Sequence, residues 1–269
     1  MTGVDSGALL AAYDEQLRRD AELVSAIERV ERGPLLLGTY RRGRGFITYR
    51  DLTGVPADGM DALVAGALEH YRADPAVRRV EWKTRGHDQA PGLHEALLRH
   101  GFVPHAPESV MVGEARLLAV DVAAPVEVTI RQVTATADVD RMLAMQAEVF
   151  GDSPEFAAEI AEQVHHRLAT RDDMEMWVAE AAGEVVSAGR LEPVAGTEFA
   201  GIWGGATRPH WRGRGIYRAL TAARARSAIA HGKRLIHSDS TEFSRPILER
   251  SGLVKVTTTT PYEWRRPSR

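Results

Sequence analysis

Between Thr207 and Leu220 the chain reads TRPHWRGRGIYRAL, in which two glycines alternate with arginines directly ahead of a helix-forming run. The segment before it, GIWGGA, is apolar and glycine-rich, as a strand crowded by a ligand or another backbone would be. After Gly215 the residues IYRALTAARARSAIA carry an amphipathic spacing, with Ile216, Leu220 and Ala223 on one stripe. The glycines therefore fall at a helix N-terminus, where amides free of the helical ladder and the positive end of the helix dipole attract an anion. Gly213 and Gly215 remove the Cβ atoms that would hold an anion off the main chain. A diphosphate suits such a cradle. A tight strand-to-helix turn is the plain structural alternative.

The spacing R-x-x-G-x from Arg212 through Gly215 closely resembles the acyl-CoA pyrophosphate loop of the GNAT superfamily of N-acetyltransferases. In that family the pattern is R/Q-x-x-G-x-G/A after a strand ending V-x-P. Here Thr207, Arg208 and Pro209 fill the V-x-P slot, and Tyr217 stands where the last small residue is usual. A side chain at the start of the helix could point outward there and leave the amide donors intact. The resemblance implies acetyl-CoA as acyl donor, with Ala206, Thr207, Arg212, Gly213, Arg214, Gly215, Ile216, Tyr217 and Ser244 around it.

A second landmark, STEFSRPILERSGLVKV from Ser240, looks like the closing helix and strand of the same family. Ser244 can cap that helix, Pro246 fits its first turn, and Gly252 ends it. Where the family keeps a tyrosine as general acid to the departing thiolate, this chain has Leu248. The proton donor is then Tyr217, Tyr262, water, or none at all. Attack on the thioester needs a neutral amine, so a base is also required. Glu198, at the start of the strand that leads to the loop, and His237 and Asp239, at the end of the next strand, are the candidates. Each has a bland alternative as a solvated or packed side chain. Trp203, Trp177 and Phe150 are candidates for an aromatic acceptor pocket. His165 and His166 are adjacent and point to different faces of a helix, so they do not form a two-ligand metal pair, which needs i, i+4 spacing. No metal site is expected.

A chain of 269 residues with 44% hydrophobic content has material for two cores. Residues 6–30 read as helix, PLLLGTY and GRGFITYR as strands around RRGRG, and residues 59–73 as helix. RRVEWKT reads as strand, APGLHEALLRHGF as helix, and VPHAPESVMVG as strand. ALLRHGFV (residues 96–103) echoes ILERSGLV (residues 247–254), which points to a tandem duplication. The first copy has R-G-R-G at Arg42–Gly45, but FITYRD follows in place of a helix, so this is a hairpin turn. The expected architecture is α/β (α+β): tandem GNAT-like domains, each a mixed, mostly antiparallel sheet flanked by helices. Residues 1–122 form a degenerate domain without a cofactor loop, and residues 123–269 the acetyl-CoA-binding domain. The first half would complete the sheet, wall the substrate cleft or support a homodimer.

The net charge of −3 argues against a general nucleic-acid binder. No apolar run is long enough to span a bilayer, and the N-terminus lacks the basic region of a signal peptide, so no membrane partner and a cytoplasmic location are expected. Zero cysteines exclude a disulfide framework and a thiol nucleophile. The arginine- and alanine-rich composition is associated with GC-rich bacterial genomes. Three functions follow from the sequence: acetyl transfer from acetyl-CoA to a small-molecule primary amine, acetylation of protein lysines or N-termini, and non-catalytic acyl-CoA binding in a regulatory module.

Overall fold

The computed structural model describes residues 5–171 and 173–267. Its first elements are α1 (Ser6–Gln16), β1 (Glu28–Arg32), β2 (Leu35–Tyr40), β3 (Arg44–Tyr49), α2 (Met60–Ala73), β4 (Arg79–Arg85), α3 (Leu93–Arg99), β5 (Val103–Pro104) and β6 (Glu108–Glu114). The chain continues through α4 (Ala115–Leu118), β7 (Val128–Val133), α5 (Thr136–Phe150), α6 (Pro154–Thr170), β8 (Glu175–Ala181), β9 (Glu184–Pro193) and β10 (Phe199–Thr207). It closes with α7 (Ile216–Ala230), β11 (Leu235–Ser240), α8 (Arg245–Arg250) and β12 (Val254–Arg265).

Two compact units result. One comprises Met1–Val110, Asp239–Glu242 and Lys255–Arg269, the other Met111–Ser238 and Phe243–Val254. This division differs from a single cut at residue 122, because the last strand is built into the first unit. There β12 pairs antiparallel with β4 from Thr259↔Arg85 to Arg265↔Arg79. Tyr262 and Trp264 bury into the first unit's core beside Trp82 and Phe102. Linker composition could not reveal that exchange, since it depends on where two aromatic side chains find a core.

In the first unit β1, β2 and β3 form an antiparallel meander, and β3 then lies parallel to β4 with α2 between them in sequence. The R-G-R-G segment is the β2–β3 turn, with Arg42 and Gly43 at φ of 58° and 68°. Residues 6–30 are not one helix. α1 ends at Gln16, a single 3-10 turn spans Arg19–Glu22, and Glu28–Arg32 pairs with β2 instead. The strand expected over VPHAPESVMVG is interrupted into β5 and β6.

The second unit repeats the order. β7, β8, β9 and β10 are antiparallel neighbours, and β10 lies parallel to β11 with α7 between them in sequence. Val133, Met142, Met176, Val178 and Ala188 pack on the face covered by α5 and α6. Leu191, Ile202, Ala225, Ala228 and Ile236 pack on the face covered by α7. The sequence echo is also structural. Leu97 and Leu248 are both buried, Gly101 and Gly252 both have positive φ, and the Phe102 and Leu253 amides bond the Leu97 and Leu248 carbonyls, each at 3.0 Å.

Candidate active site

β10 and β11 pair only over Phe199↔Leu235, Ala200↔Ile236 and Gly201↔His237. Beyond Gly201 the edge of β10 that faced β11 is open, and its register with β9 shifts between Trp203 and Ala206. The strand runs on to Thr207, turns at Pro209–Trp211 and enters α7 at Ile216. Gly213 and Gly215 have φ of 76° and 81°, a region that L side chains resist. A Cβ on Gly213 would meet nothing within 4 Å, so its glycine serves backbone conformation and access. The Ala219 amide bonds the Gly215 carbonyl, and this is where the helical ladder begins, which leaves the amides from Gly213 to Arg218 outside it.

Three arginines shape the loop. Arg212 Nε donates to the Thr207 carbonyl at 3.0 Å and draws the loop back onto the strand end. Arg214 lies over the Trp211 ring and donates to Glu127 Oε1 at 2.5 Å. Arg208 Nε reaches the Val185 carbonyl at 3.1 Å. The Thr207 hydroxyl pairs with Ser187 Oγ at 2.8 Å, and Ser187 Oγ also donates to the Ala206 carbonyl at 2.7 Å. Amides exposed by two left-handed glycines at a helix N-terminus could take a diphosphate such as that of coenzyme A. The residues that would hold it are those from Arg212 to Tyr217, and the open edge of β10 could take an extended amide-bearing arm.

Tyr217 does not point outward. Its ring lies against Gly205, where a Cβ would stand 2.7 Å from Cε2, and it packs beside the core under α7. Leu248 is buried in that same core, which explains a leucine there and provides no acid. Ser244 stands at the N-cap of α8, where its carbonyl receives the Ile247 and Leu248 amides.

His237 sits at the last paired position, buried between the Phe199 and Trp203 rings at centroid distances of 5.8 and 5.1 Å. Gly201 opposite it has no side chain. The point where its Cβ would stand lies 2.3 Å from Trp203 Nε1 and 3.0 Å from His237 Nε2. Two ring nitrogens thus converge where the strands part.

The other candidates lie elsewhere. Glu198 precedes β10, and nine strand residues at roughly 3.3 Å each set it about 30 Å from Thr207. Its carboxylate is exposed and pairs with Arg234 at 2.7 Å. Asp239 belongs to the first unit and is held by Lys83 Nζ at 2.7 Å. Tyr262 is in the first unit's core, its hydroxyl on His94 Nδ1 at 2.7 Å. Trp177 faces α7 while Trp203 lies on the opposite face of the sheet, and Phe150 is exposed at the end of α5, so these three do not form one aromatic pocket.

The sequence reading missed three buried polar groups. Gln146 on α5 donates to the Gly204 carbonyl at the irregular register. Glu192, opposite Gly201 on β9, gathers Arg167, Arg171 and Arg190. Burial raises its proton affinity, but Arg190 and Arg167 outweigh that and hold it at about 2, so it stays ionised near neutrality. Arg224 is the third. None lies in a local motif, because each depends on a partner distant in sequence.

In the first unit the corresponding opening is filled. β3 and β4 pair up to Ile47↔Trp82, and beyond that point the Glu22 carboxylate takes Thr48 Oγ1 and Arg85 Nη2, with Lys83 Nζ at 3.7 Å. Burial opposes ionisation of Glu22, yet Arg85 and Lys83 hold its carboxyl below the usual range. Helix α2 starts at Gly59, whose φ is −79°, without the left-handed glycine pair.

Residues 129–252 match the family described as acetyltransferase (GNAT) domain. The whole chain has the fold of a GCN5-related N-acetyltransferase from Kribbella flavida, with TM-score 0.66 and 16% identity over 100% of this chain and 98% of that one. It is similar as well to a tandem GNAT protein from the clavulanic acid biosynthesis pathway, with TM-score 0.63 and 14% identity over 98% and 97% of the two chains. A third likeness is a GCN5-related N-acetyltransferase from Sphaerobacter thermophilus, with TM-score 0.62 and 17% identity over 88% and 78%. No curated protein matches the chain in sequence. The fold is therefore that of a tandem GNAT protein. Among the described residues no helix is long and apolar enough to cross a membrane.

Proposed function

We propose that the second unit transfers an acetyl group from acetyl-CoA to a primary amine of a small molecule by direct attack on the thioester. The observation that carries this reading is the left-handed Gly213 and Gly215 pair, which opens the amides ahead of α7 beside the unpaired edge of β10. The residues from Arg212 to Tyr217 bind the diphosphate, and the strand end at Ala206 and Thr207 orients the arm. Amides beside the Trp203–Ala206 irregularity could polarise the thioester carbonyl, the kind of preorganised donor that lowers acyl-transfer barriers. His237 is the base: its Nε2 lies at the vertex of the two strands, on the same face as Trp203. Glu198 and Asp239 do not fit that role, because each is held by a cation, and Glu198 stands at the far end of the strand. The first unit is non-catalytic, its opening closed by Glu22.

Calorimetry with acetyl-CoA, followed by thiol release against a panel of amines, tests the reading. Micromolar binding with amine-dependent release supports it, and absence of binding ends it. The packing of Leu248 in the core favours a second reading, acyl-CoA binding without turnover, which predicts tight binding and no thiol release with any amine.

A further inference from the structure

Arg224 lies two helical turns beyond Tyr217, on the inward side of α7, and is fully buried. Its Nη2 donates to Thr221 Oγ1 at 3.1 Å and its Nη1 to the Arg190 carbonyl at 3.3 Å, while Nε meets no partner among the described residues. Burial pushes the guanidinium below its ordinary value, and its charged and titratable neighbours are Tyr217 and another cation, Arg190. Among the described residues no carboxylate pairs with it. A buried charge without a counter-ion costs several kcal/mol, and an apolar side chain there would avoid that cost.

The titratable group beside the guanidinium is the Tyr217 phenol. The sheet has made room for both side chains. A Cβ at Gly189 would stand 2.4 Å from Arg224 Nη1, and one at Gly205 would stand 3.1 Å from the Tyr217 hydroxyl oxygen. Gly205 is exposed, falls within the irregular register of β10, and lies four residues past the last pair with β11. The phenol is therefore carried to the open edge of the strand. Arginine has donors only, so toward the guanidinium the phenol oxygen can act only as an acceptor, which leaves its own proton for another partner.

We propose that Tyr217 is the catalytic proton donor to the departing thiolate, and that Arg224 is the positioning residue whose guanidinium lies beside the phenol and faces the phenolate it leaves. This rests on the acyl-transfer reading above. The amine nitrogen bonds to the thioester carbonyl carbon and gives up a proton to His237 or water. As the tetrahedral adduct collapses, the carbon–sulfur bond breaks with its electron pair on sulfur. The Tyr217 proton moves to sulfur to give the free thiol, and the phenolate, opposite the Arg224 guanidinium, is reprotonated from solvent. A residue in the place of a small one thereby takes up the task for which Leu248 is unsuited.

Steady-state turnover and acetyl-CoA calorimetry on the full chain test this with Tyr217→Phe, Arg224→Met and the double variant. Tyr217→Phe keeps the ring on Gly205, and replacing a buried charge by an apolar side chain of similar size is commonly tolerated, so both should fold. We expect kcat to fall 10²- to 10³-fold in Tyr217→Phe, within the range for loss of an acid, with the acetyl-CoA Kd within threefold of wild type. Arg224→Met should lower kcat by less than Tyr217→Phe with acetyl-CoA Kd unchanged, and the double variant should be no slower than Tyr217→Phe. Turnover of Tyr217→Phe within threefold of wild type, or a loss confined to Kd, overturns the proposal while leaving the acyl-transfer reading intact. Absence of thiol release from the wild-type protein overturns both.

Discussion

Replacing Gly215 by valine perturbs the cradle at one backbone position. The residue has φ of 81°, where an L-residue costs roughly 1–2 kcal/mol and a β-branched one is worse placed still. Its new Cβ would also lie 3.3 Å from the Ala123 carbonyl oxygen, a tight contact with backbone. Two responses are open to the loop. If it holds its shape, the strain appears as lost stability of about 1–2 kcal/mol. If it relaxes by rotating the peptide, stability recovers but the amides leave the diphosphate, and each charge-assisted bond lost is worth about 1.5–3 kcal/mol. At about 1.4 kcal/mol per tenfold, the second response weakens acetyl-CoA binding by roughly 10- to 100-fold for a single bond. Calorimetry of acetyl-CoA binding and urea unfolding of the same preparation separate the two. Unchanged affinity together with an unchanged urea midpoint would refute the reasoning, since the left-handed glycine would then be dispensable. Gly213→Asn is the companion variant: asparagine tolerates positive φ and the position is open, so the urea midpoint should hold, while the added side chain obstructs the anion's approach and should weaken affinity by roughly tenfold, about 1.4 kcal/mol.

Three further outcomes follow from the site. His237→Gln should lower turnover by ~10²- to 10⁴-fold, as loss of a base does, with acetyl-CoA affinity unchanged by calorimetry. Glu198→Gln should leave turnover within about twofold, since it breaks only an exposed pair with Arg234, and a collapse of kcat in that variant would restore it as the base. Glu192 is held at about 2 against an ordinary 4.5. The unfolded chain binds more protons there between those values, so stability should rise with pH through that window and be lost as pH falls. Urea midpoints taken from pH 5 to pH 2 should show a shallower slope in Glu192→Gln.

Much of the site was legible because it is local. The order strand, proline turn, glycine pair, helix is fixed within fourteen residues, and each glycine does what its lack of a Cβ allows. The hairpin at Arg42–Gly43 was equally readable, since alternating β-branched residues follow it. Which base candidate sits where the strands part was not legible. Glu198 and His237 both flank strands in the sequence, and only the parallel register Gly201↔His237 shows that one lies at the vertex while the other lies at the far end. Tyr217 looked like a misfit in a small-residue slot. Its fit depends on Gly205 and Arg224, which the one-dimensional pattern does not connect to it.

Taken alone, the amino-acid order determined the family resemblance, the glycine turn into α7 and the duplicated helix–glycine–strand joints, because these rest on backbone conformation over a few consecutive residues. Tertiary structure alone decided three other matters. It placed Tyr262 and Trp264 in the first unit's core, which assigned the chain's last strand to that unit. It brought Glu22 against Thr48, Lys83 and Arg85, which closed the first unit's opening. It set a buried guanidinium beside the Tyr217 phenol. In each case the energy comes from desolvating groups far apart in the chain, and burial is a property of the packed fold that no local spacing encodes.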